Sequence, residues 1–142
     1  MKLLMIYASK FAYKTSLKTL NNFPDIDESK GYDDALVGFI HIEESDQNDP
    51  AYIETKLVKN LKWAAGKNNT KMIILHSFAH LSESKASPEF TSKLFDSAQT
   101  RLVKSGYEVY QTPFGYFLDL HLEAPGTPLA RLFKDIQAGD NA

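Results

Sequence analysis

Short runs of apolar residues alternate along this chain with polar turns and with two segments of helical periodicity. A continuous apolar run of four to eight residues bounded by polar residues is typical of a strand buried on both faces. Five such strands are predicted: Lys2–Ser9, Ala35–Ile42, Lys71–Leu75, Tyr107–Tyr110 and Tyr116–Leu122. A weaker strand is predicted at Phe11–Tyr13, and the polar composition of Thr15–Asp34 is typical of a loop.

Two helices are indicated by capping residues followed by apolar residues three or four positions apart. Asp49-Pro50 pairs an N-cap residue with a proline at the first helical position, and it predicts a helix over residues 50–66. Ser87-Pro88 has the same form and predicts a helix over residues 88–105. A last, short helix is predicted to begin near Thr127-Pro128 and to end by Gln137.

The alternation of strands and helices has no fixed repeat, so it predicts an α/β (α+β) fold with a mixed β-sheet, two main helices and a short C-terminal helix. The chain has 142 residues, which fits one domain spanning residues 1–142. A hydrophobic fraction of 43% and a charged fraction of 24% exclude a mostly disordered chain.

The charge balance limits the classes of partner. With 16 Lys and Arg against 18 Asp and Glu, the net charge is −2, so no overall positive field draws the chain to nucleic acid or to an anionic membrane. Any contact with nucleic acid must therefore be local. The apolar runs are far shorter than the ~20 residues of a membrane-spanning helix, and we expect a cytoplasmic protein that does not bind membranes.

Several kinds of catalytic site have no support in the sequence. Glycine-rich dinucleotide and P-loop motifs and the Gly-x-Ser-x-Gly elbow are absent, and without cysteine there is neither thiol catalysis nor a thiolate zinc site. His76 and His80 are four residues apart, but a metal site there would need a third ligand such as His121 or Glu83. We expect neither a metal nor another cofactor.

Two stretches carry candidate chemistry. In Leu75–Ser82 a buried strand runs into a polar loop, and strand ends are where sheets of this kind gather their sites. His80 is the best candidate there, because an imidazole transfers protons near neutral pH; the alternative is a histidine that merely caps the loop. In Pro113–Phe117 a proline and a glycine flank an aromatic ring, which indicates a backbone that approaches a ligand closely or a tight turn that packs Phe114 into the core.

Taken together, these stretches resemble the archaeal threonyl-tRNA synthetase editing domain, a relative of the D-aminoacyl-tRNA deacylases. The resemblance covers nearly the whole chain and is carried by Lys2–Ile6, Ala35–Ile40, Phe78–Ser82, Pro113–Tyr116 and Gly126–Ala130. It implies a D-aminoacyl-tRNA deacylase-like fold, a homodimer, and a single editing-type domain over residues 1–142 with no synthetase catalytic domain. It also implies recognition of the 3′-terminal aminoacyl-adenosine of tRNA and hydrolysis of serine wrongly attached to threonine tRNA.

The resemblance also implies roles for particular residues. His80 is the candidate catalytic residue. The substrate-binding candidates are Phe78, Ala79, Pro113, Phe114, Gly115, Tyr116, Phe117, Leu118 and Arg131. The sequence departs from the family pattern in three places: Leu118 replaces its catalytic lysine, Arg131 replaces a glutamate that reads the amino acid, and the run Tyr7-Ala8-Ser9 replaces a His-Ser-Asp-like run.

The leading hypothesis is therefore aminoacyl-tRNA editing, the hydrolysis of a misacylated ester such as seryl-tRNA, either alone or with a threonyl-tRNA synthetase acting in trans. Leu118 and Arg131 predict weak activity, because one removes an amine and the other repels the substrate ammonium. The alternative is a catalytically degenerate module that binds the tRNA 3′ end or mediates dimerisation. A domain acting on another aminoacyl ester or on a small nucleotide also stays open.

Overall fold

A curled mixed sheet forms the centre of the computed structural model, which describes residues 1–138. Its strands are β1 (Lys2–Lys18), β2 (Ser29–His41), β3 (Met72–Ser77), β4 (Glu108–Gln111), β5 (Tyr116–Glu123) and β6 (Arg131–Asp135). The order is β4-β3-β2-β1-β5, and β6 also pairs with β1. The β2–β3 and β3–β4 pairs are parallel, whereas β1 is antiparallel to β2, β5 and β6. The predicted mixed α/β class is confirmed.

Strand β1 is longer than the sequence pattern predicts. The predicted strands Lys2–Ser9 and Phe11–Tyr13 form one continuous strand of 17 residues, and β2 begins at Ser29, inside the predicted loop. Lys14 of β1 pairs with Ser29 of β2, so the polar segment is the far part of an antiparallel hairpin. The hydrophobic pattern does not reveal this part of the two strands, because its residues are held mainly by backbone hydrogen bonds and many of their side chains lie in solvent.

The two predicted helices are confirmed to within one residue as α1 (Pro50–Lys67) and α2 (Pro88–Lys104). Each begins at the predicted cap: the Asp49 carboxylate accepts a hydrogen bond from the Tyr52 amide, and the Ser87 hydroxyl accepts one from the Phe90 amide. Their apolar sides pack on one face of the sheet and form the main core. No helix among residues 1–138 is long and apolar enough to cross a membrane.

The predicted C-terminal helix is wrong beyond its first turn. A 3₁₀ turn occupies Pro128–Ala130, and the following residues form β6. Strand β5 pairs with the second half of β1, so the first half keeps an open edge, and β6 pairs with that edge along Lys2–Ile6. Unpaired backbone groups of a strand favour such pairing, and Leu132 also packs against the main core. The predicted domain extends to residue 142, past the described residues.

A buried ion cluster fastens the two ends of the described chain. The Met1 ammonium is 0% exposed and lies 3.0 Å from Glu43 Oε1 and 2.9 Å from Asp46 Oδ2. It also donates to the Ile136 carbonyl oxygen at 2.6 Å. Glu43 in turn accepts a hydrogen bond from the Ser82 hydroxyl at 2.9 Å, so the cluster also holds the loop that follows β3.

Candidate functional site

A cavity of about 430 Å³ opens where the parallel strands β2 and β3 end. Its walls come from these strand ends, from the loop between β3 and α2, from the start of α2 and from the β4–β5 turn. Residues Thr19 and Leu20, beyond β1, contribute a further wall. The carboxyl ends of parallel strands are the usual place for a site in an α/β sheet, and the volume suits a small organic ligand.

All but one of the sequence-predicted site residues line this single cavity. They are Phe78, Ala79, His80, Pro113, Phe114, Gly115, Tyr116, Phe117 and Leu118. The imidazole of His80 stacks on the Phe117 ring, with centroids 6.0 Å apart and planes inclined by 19°. The two motifs, more than thirty residues apart in sequence, thus face each other across one cavity.

Arg131 stands apart from the other candidates. It is the first residue of β6, pairs with Ile6, is exposed and does not line the cavity. It was expected on a helix, but the edge of β1 binds this segment as a strand. Within the described part of one chain, Arg131 is therefore not placed to meet a ligand in the cavity. The departing residues Tyr7-Ala8-Ser9 lie in β1 and do not line it either.

His41 fixes the loop that carries His80, and sequence reasoning missed it. Its ring is buried, its Nδ1 accepts the amide proton of Leu81 at 3.0 Å, and its Nε2 lies 2.7 Å from the Ser84 carbonyl oxygen. Because Nδ1 accepts a hydrogen bond, it carries no hydrogen in this tautomer, and Nε2 donates its hydrogen to the Ser84 carbonyl oxygen. A histidine at the end of an apolar strand was the only signal available.

His76 lies beneath the cavity in a neutral form. Its Nδ1 is 2.9 Å from the Thr112 hydroxyl, and its ring packs edge-on against Phe39 with centroids 5.1 Å apart. Burial lowers the pKa of His76 to about 4, and the nearby His80 adds to the effect. Residues 1–138 contain no group of three or more histidine or carboxylate side chains placed to hold a metal ion.

The burial of His76 predicts a loss of stability in mild acid. Its pKa falls from 6.5 to about 4 on folding, so between these values the unfolded chain binds a proton that the folded chain does not. This contribution is complete above pH 6.5 and is lost as the pH falls toward 4, by roughly 3 kcal/mol in total. Urea unfolding of the parent and of His76→Gln at several pH values measures it. We expect a smaller pH dependence in the variant; equal slopes would contradict the assignment.

The side chain of His80 is available to interact with a ligand in the cavity. Its exposed ring contacts the edge of Phe78, with centroids 4.8 Å apart, and neither ring nitrogen has a hydrogen-bond partner within residues 1–138. The amides of Ala79 and His80 likewise make no hydrogen bond in this range, whereas those of Phe78 and Leu81 are bound. The arrangement offers an imidazole for proton transfer and backbone donors for an oxygen atom.

The β4–β5 turn forms the opposite wall and anchors the polar segment after β1. Gly115 has a φ of +87°, and its carbonyl oxygen accepts a hydrogen bond from the Thr19 amide at 2.7 Å. The Phe114 ring packs against Phe23 and Phe95, with centroids 5.2 and 6.2 Å away. Phe114 therefore packs against neighbouring rings, and the turn that carries it lines the cavity.

Gly115→Ala is expected to lower the free energy of unfolding by about 1–2 kcal/mol, because a side chain is disfavoured at positive φ. The new Cβ would also lie 3.2 Å from Leu20 Cβ, closer than ordinary contact. Gly66→Ala is the matched control: nothing lies within 4 Å of its added Cβ, so alanine should stabilise α1 by about 0.5–1 kcal/mol. Urea unfolding measures both, and a destabilisation of the same size in both variants would contradict the local explanation.

Known proteins resemble this chain in sequence and in fold. The threonine-tRNA ligase of Methanosphaera stadtmanae is 34% identical over 139 residues, covering 96% of this chain and 22% of the ligase. The enzyme of Thermococcus kodakarensis is 33% identical with the same coverage, so the chain spans less than a quarter of these relatives. A solved structure titled c-Myc DNA Unwinding Element Binding Protein shares the fold, with a TM-score of 0.67, 13% identity and coverage of 97% of this chain and 100% of that one.

The family model that matches the chain spans the strands, both helices and the cavity-lining motifs. It is described as the archaea-specific editing domain of threonyl-tRNA synthetase and matches residues 1–136. The resemblance predicted from the motifs is thereby confirmed, and the chain belongs to the family of archaea-specific threonyl-tRNA synthetase editing domains.

Proposed function

We propose that this domain hydrolyses the ester bond of a misacylated tRNA, with the 3′-terminal aminoacyl-adenosine held in the cavity. The observation that carries the proposal is the His80 imidazole, which makes no hydrogen bond within residues 1–138 and faces the constrained Pro113–Tyr116 turn across a mostly apolar cavity. Membership in an editing-domain family supports the reaction class. The identity of the amino acid, serine, rests on the resemblance of the motifs.

Hydrolysis of the ester needs a water molecule, a group that accepts its proton and hydrogen-bond donors for the carbonyl oxygen. A water oxygen attacks the ester carbonyl carbon, the carbonyl oxygen becomes negatively charged, and the bond to the ribose oxygen then breaks. In our proposal His80 accepts the proton of the water and returns it to the ribose oxygen, which gives a free amino acid and a free tRNA end. The Ala79 and His80 amides are candidate donors to the developing oxyanion, and such donors commonly supply the largest stabilisation.

A deacylation assay across seryl-, threonyl- and D-aminoacyl-tRNAs tests the proposal. We expect faster hydrolysis of seryl-tRNA on threonine tRNA than of the correct threonyl ester. If no ester is hydrolysed faster than in buffer while tRNA ends still bind, the alternative of a degenerate binding module is favoured. Leu118 is the observation behind this alternative, because an apolar side chain occupies the cavity position where the family pattern has a lysine.

Introducing that amine should raise activity. Leu118 lines the cavity, so Leu118→Lys is expected to increase seryl-tRNA deacylation by at least about tenfold, since a well-placed proton-transfer group contributes about 10²–10⁴-fold. Arg131→Glu is the control and should leave the rate unchanged, because Arg131 lies outside the cavity. Single-turnover deacylation rates of the two variants and the parent measure the effect of each substitution. A parent as fast as Leu118→Lys would show that residue 118 does not limit the reaction.

Assembly belongs to the same proposal. The outer strand β5 exposes Phe117, Leu120 and Leu122, and Phe133 of β6 is also exposed. Apolar side chains beside an open strand edge suit pairing with a second copy, so we propose the homodimer that the motifs imply. Sedimentation equilibrium at micromolar concentration would then report twice the 16.0 kDa chain mass. A threonyl-tRNA synthetase acting with the domain is a further proposal, supported by the relatives that contain this segment.

A further inference from the structure

We propose that Lys85 binds the phosphate group that links the terminal nucleoside to the rest of the tRNA, so that the cavity recognises a nucleotide rather than a nucleoside. This inference rests on the proposed function. Among the cavity-lining residues in the range 1–138, Lys85 is the one lysine or arginine, and no aspartate or glutamate of that range lines the cavity with it. A cavity with an unopposed cation favours an anionic group, although the whole chain has a net charge of −2.

The backbone on both sides of Lys85 is fixed. The Ser84 carbonyl oxygen accepts the hydrogen bond from His41, and the Ser84 hydroxyl accepts one from the Glu44 amide at 3.0 Å. The Ala86 amide donates to the Ile42 carbonyl oxygen at 3.0 Å. The Cα atom of Lys85 is thus held between two residues that are tied to the end of β2 and the segment beyond it, and only its side chain is free to reorient.

The Lys85 ammonium has no partner within residues 1–138. Lys2 and Lys30, by contrast, form ion pairs with Asp135 and Glu28. The Glu89 carboxylate, four residues along the chain from Lys85, accepts a hydrogen bond from the Asn22 side chain instead of pairing with Lys85. When an exposed ammonium on a fixed backbone binds a phosphate, only the side chain loses conformational freedom.

The position at the cavity favours a phosphate over other anions. Phe78 and Phe117 present flat apolar surfaces that suit a nucleobase, and Lys85 stays exposed where the cavity meets solvent. A nucleotide bound through its base places its 5′-phosphate toward the exit, since the tRNA chain must leave on that side. Charge-assisted contacts of this kind are stronger than neutral ones, and we expect about a tenfold gain in affinity.

The test compares adenosine, adenosine 5′-monophosphate and inorganic phosphate by calorimetry on the full chain. The monophosphate should bind the parent about tenfold more tightly than adenosine. Lys85→Gln should abolish this difference and leave adenosine binding unchanged, and Lys85→Arg should retain it. Lys93→Gln is the matched control, since Lys93 is exposed on α2 and does not line the cavity.

Each contrary result has a distinct meaning. If adenosine and its monophosphate bind equally, or if Lys85→Gln keeps the difference, the role of Lys85 is refuted while nucleoside binding stands. If inorganic phosphate binds as tightly as the monophosphate, the site is a plain anion site and the inference is overturned. If neither nucleoside nor nucleotide binds the parent, the cavity does not hold the tRNA terminus, and the proposed function fails with the inference.

Discussion

Asp46→Ala should lower the free energy of unfolding by about 3–5 kcal/mol, because it leaves a buried ammonium without half of its counter-charge. The Asp46 side chain and the Met1 ammonium are both 0% exposed and lie 2.9 Å apart. The Asp46 carboxylate also accepts the Glu43 amide proton at 2.8 Å, so the substitution removes a second buried hydrogen bond.

Asp135→Ala is the matched control for this experiment. Asp135 pairs with Lys2 at 2.7 Å, but its side chain is 48% exposed. Exposed pairs contribute about 0–1 kcal/mol, so this variant should unfold almost like the parent. Urea titrations that give unchanged slopes and shifted midpoints measure both changes. A loss of stability as small for Asp46→Ala as for Asp135→Ala would show that the ammonium is rehydrated at little cost.

The elements predicted well from sequence are those whose signals are local. Asp49-Pro50 and Ser87-Pro88 set the starts of α1 and α2, because the cap and the proline act on backbone groups within one turn. The far part of the β1–β2 hairpin and β6 escaped prediction. Their backbone partners are distant in sequence, and a strand with many exposed side chains lacks the apolar pattern that marks buried strands.

The residues of the candidate site likewise fall into those that local sequence signals identify and those that they do not. His80 and the turn at Gly115 were found because a polar loop after a buried strand and a Pro-x-Gly sequence are visible in the chain itself. His41 and Lys85 were missed, since their surroundings arise only when the loop after β3 returns to the end of β2. Arg131 was selected by resemblance, and its distance from the cavity depends on the edge of β1, which no local signal reports.

His80→Ala is expected to reduce the rate of aminoacyl ester hydrolysis by about 10²–10⁴-fold, because loss of a proton-transfer group has this effect. The fold should be unaffected, since the His80 ring is exposed and makes no hydrogen bond within residues 1–138. If His80 acts on the water, the single-turnover rate should fall while the affinity for adenosine changes little. A role in packing against Phe78 and Phe117 would instead weaken adenosine binding.

Two further variants separate these roles. His80→Asn keeps a polar side chain of related shape but transfers no proton near neutral pH, so it should be as slow as His80→Ala. His121→Ala is the control, because His121 is 60% exposed on β5 and lies outside the cavity lining, and its rate should match the parent. If His80→Asn retains the parent rate, the water is activated without the imidazole. The backbone donors and the ribose hydroxyl of the substrate would then carry the reaction, and His80 would serve only to shape the cavity.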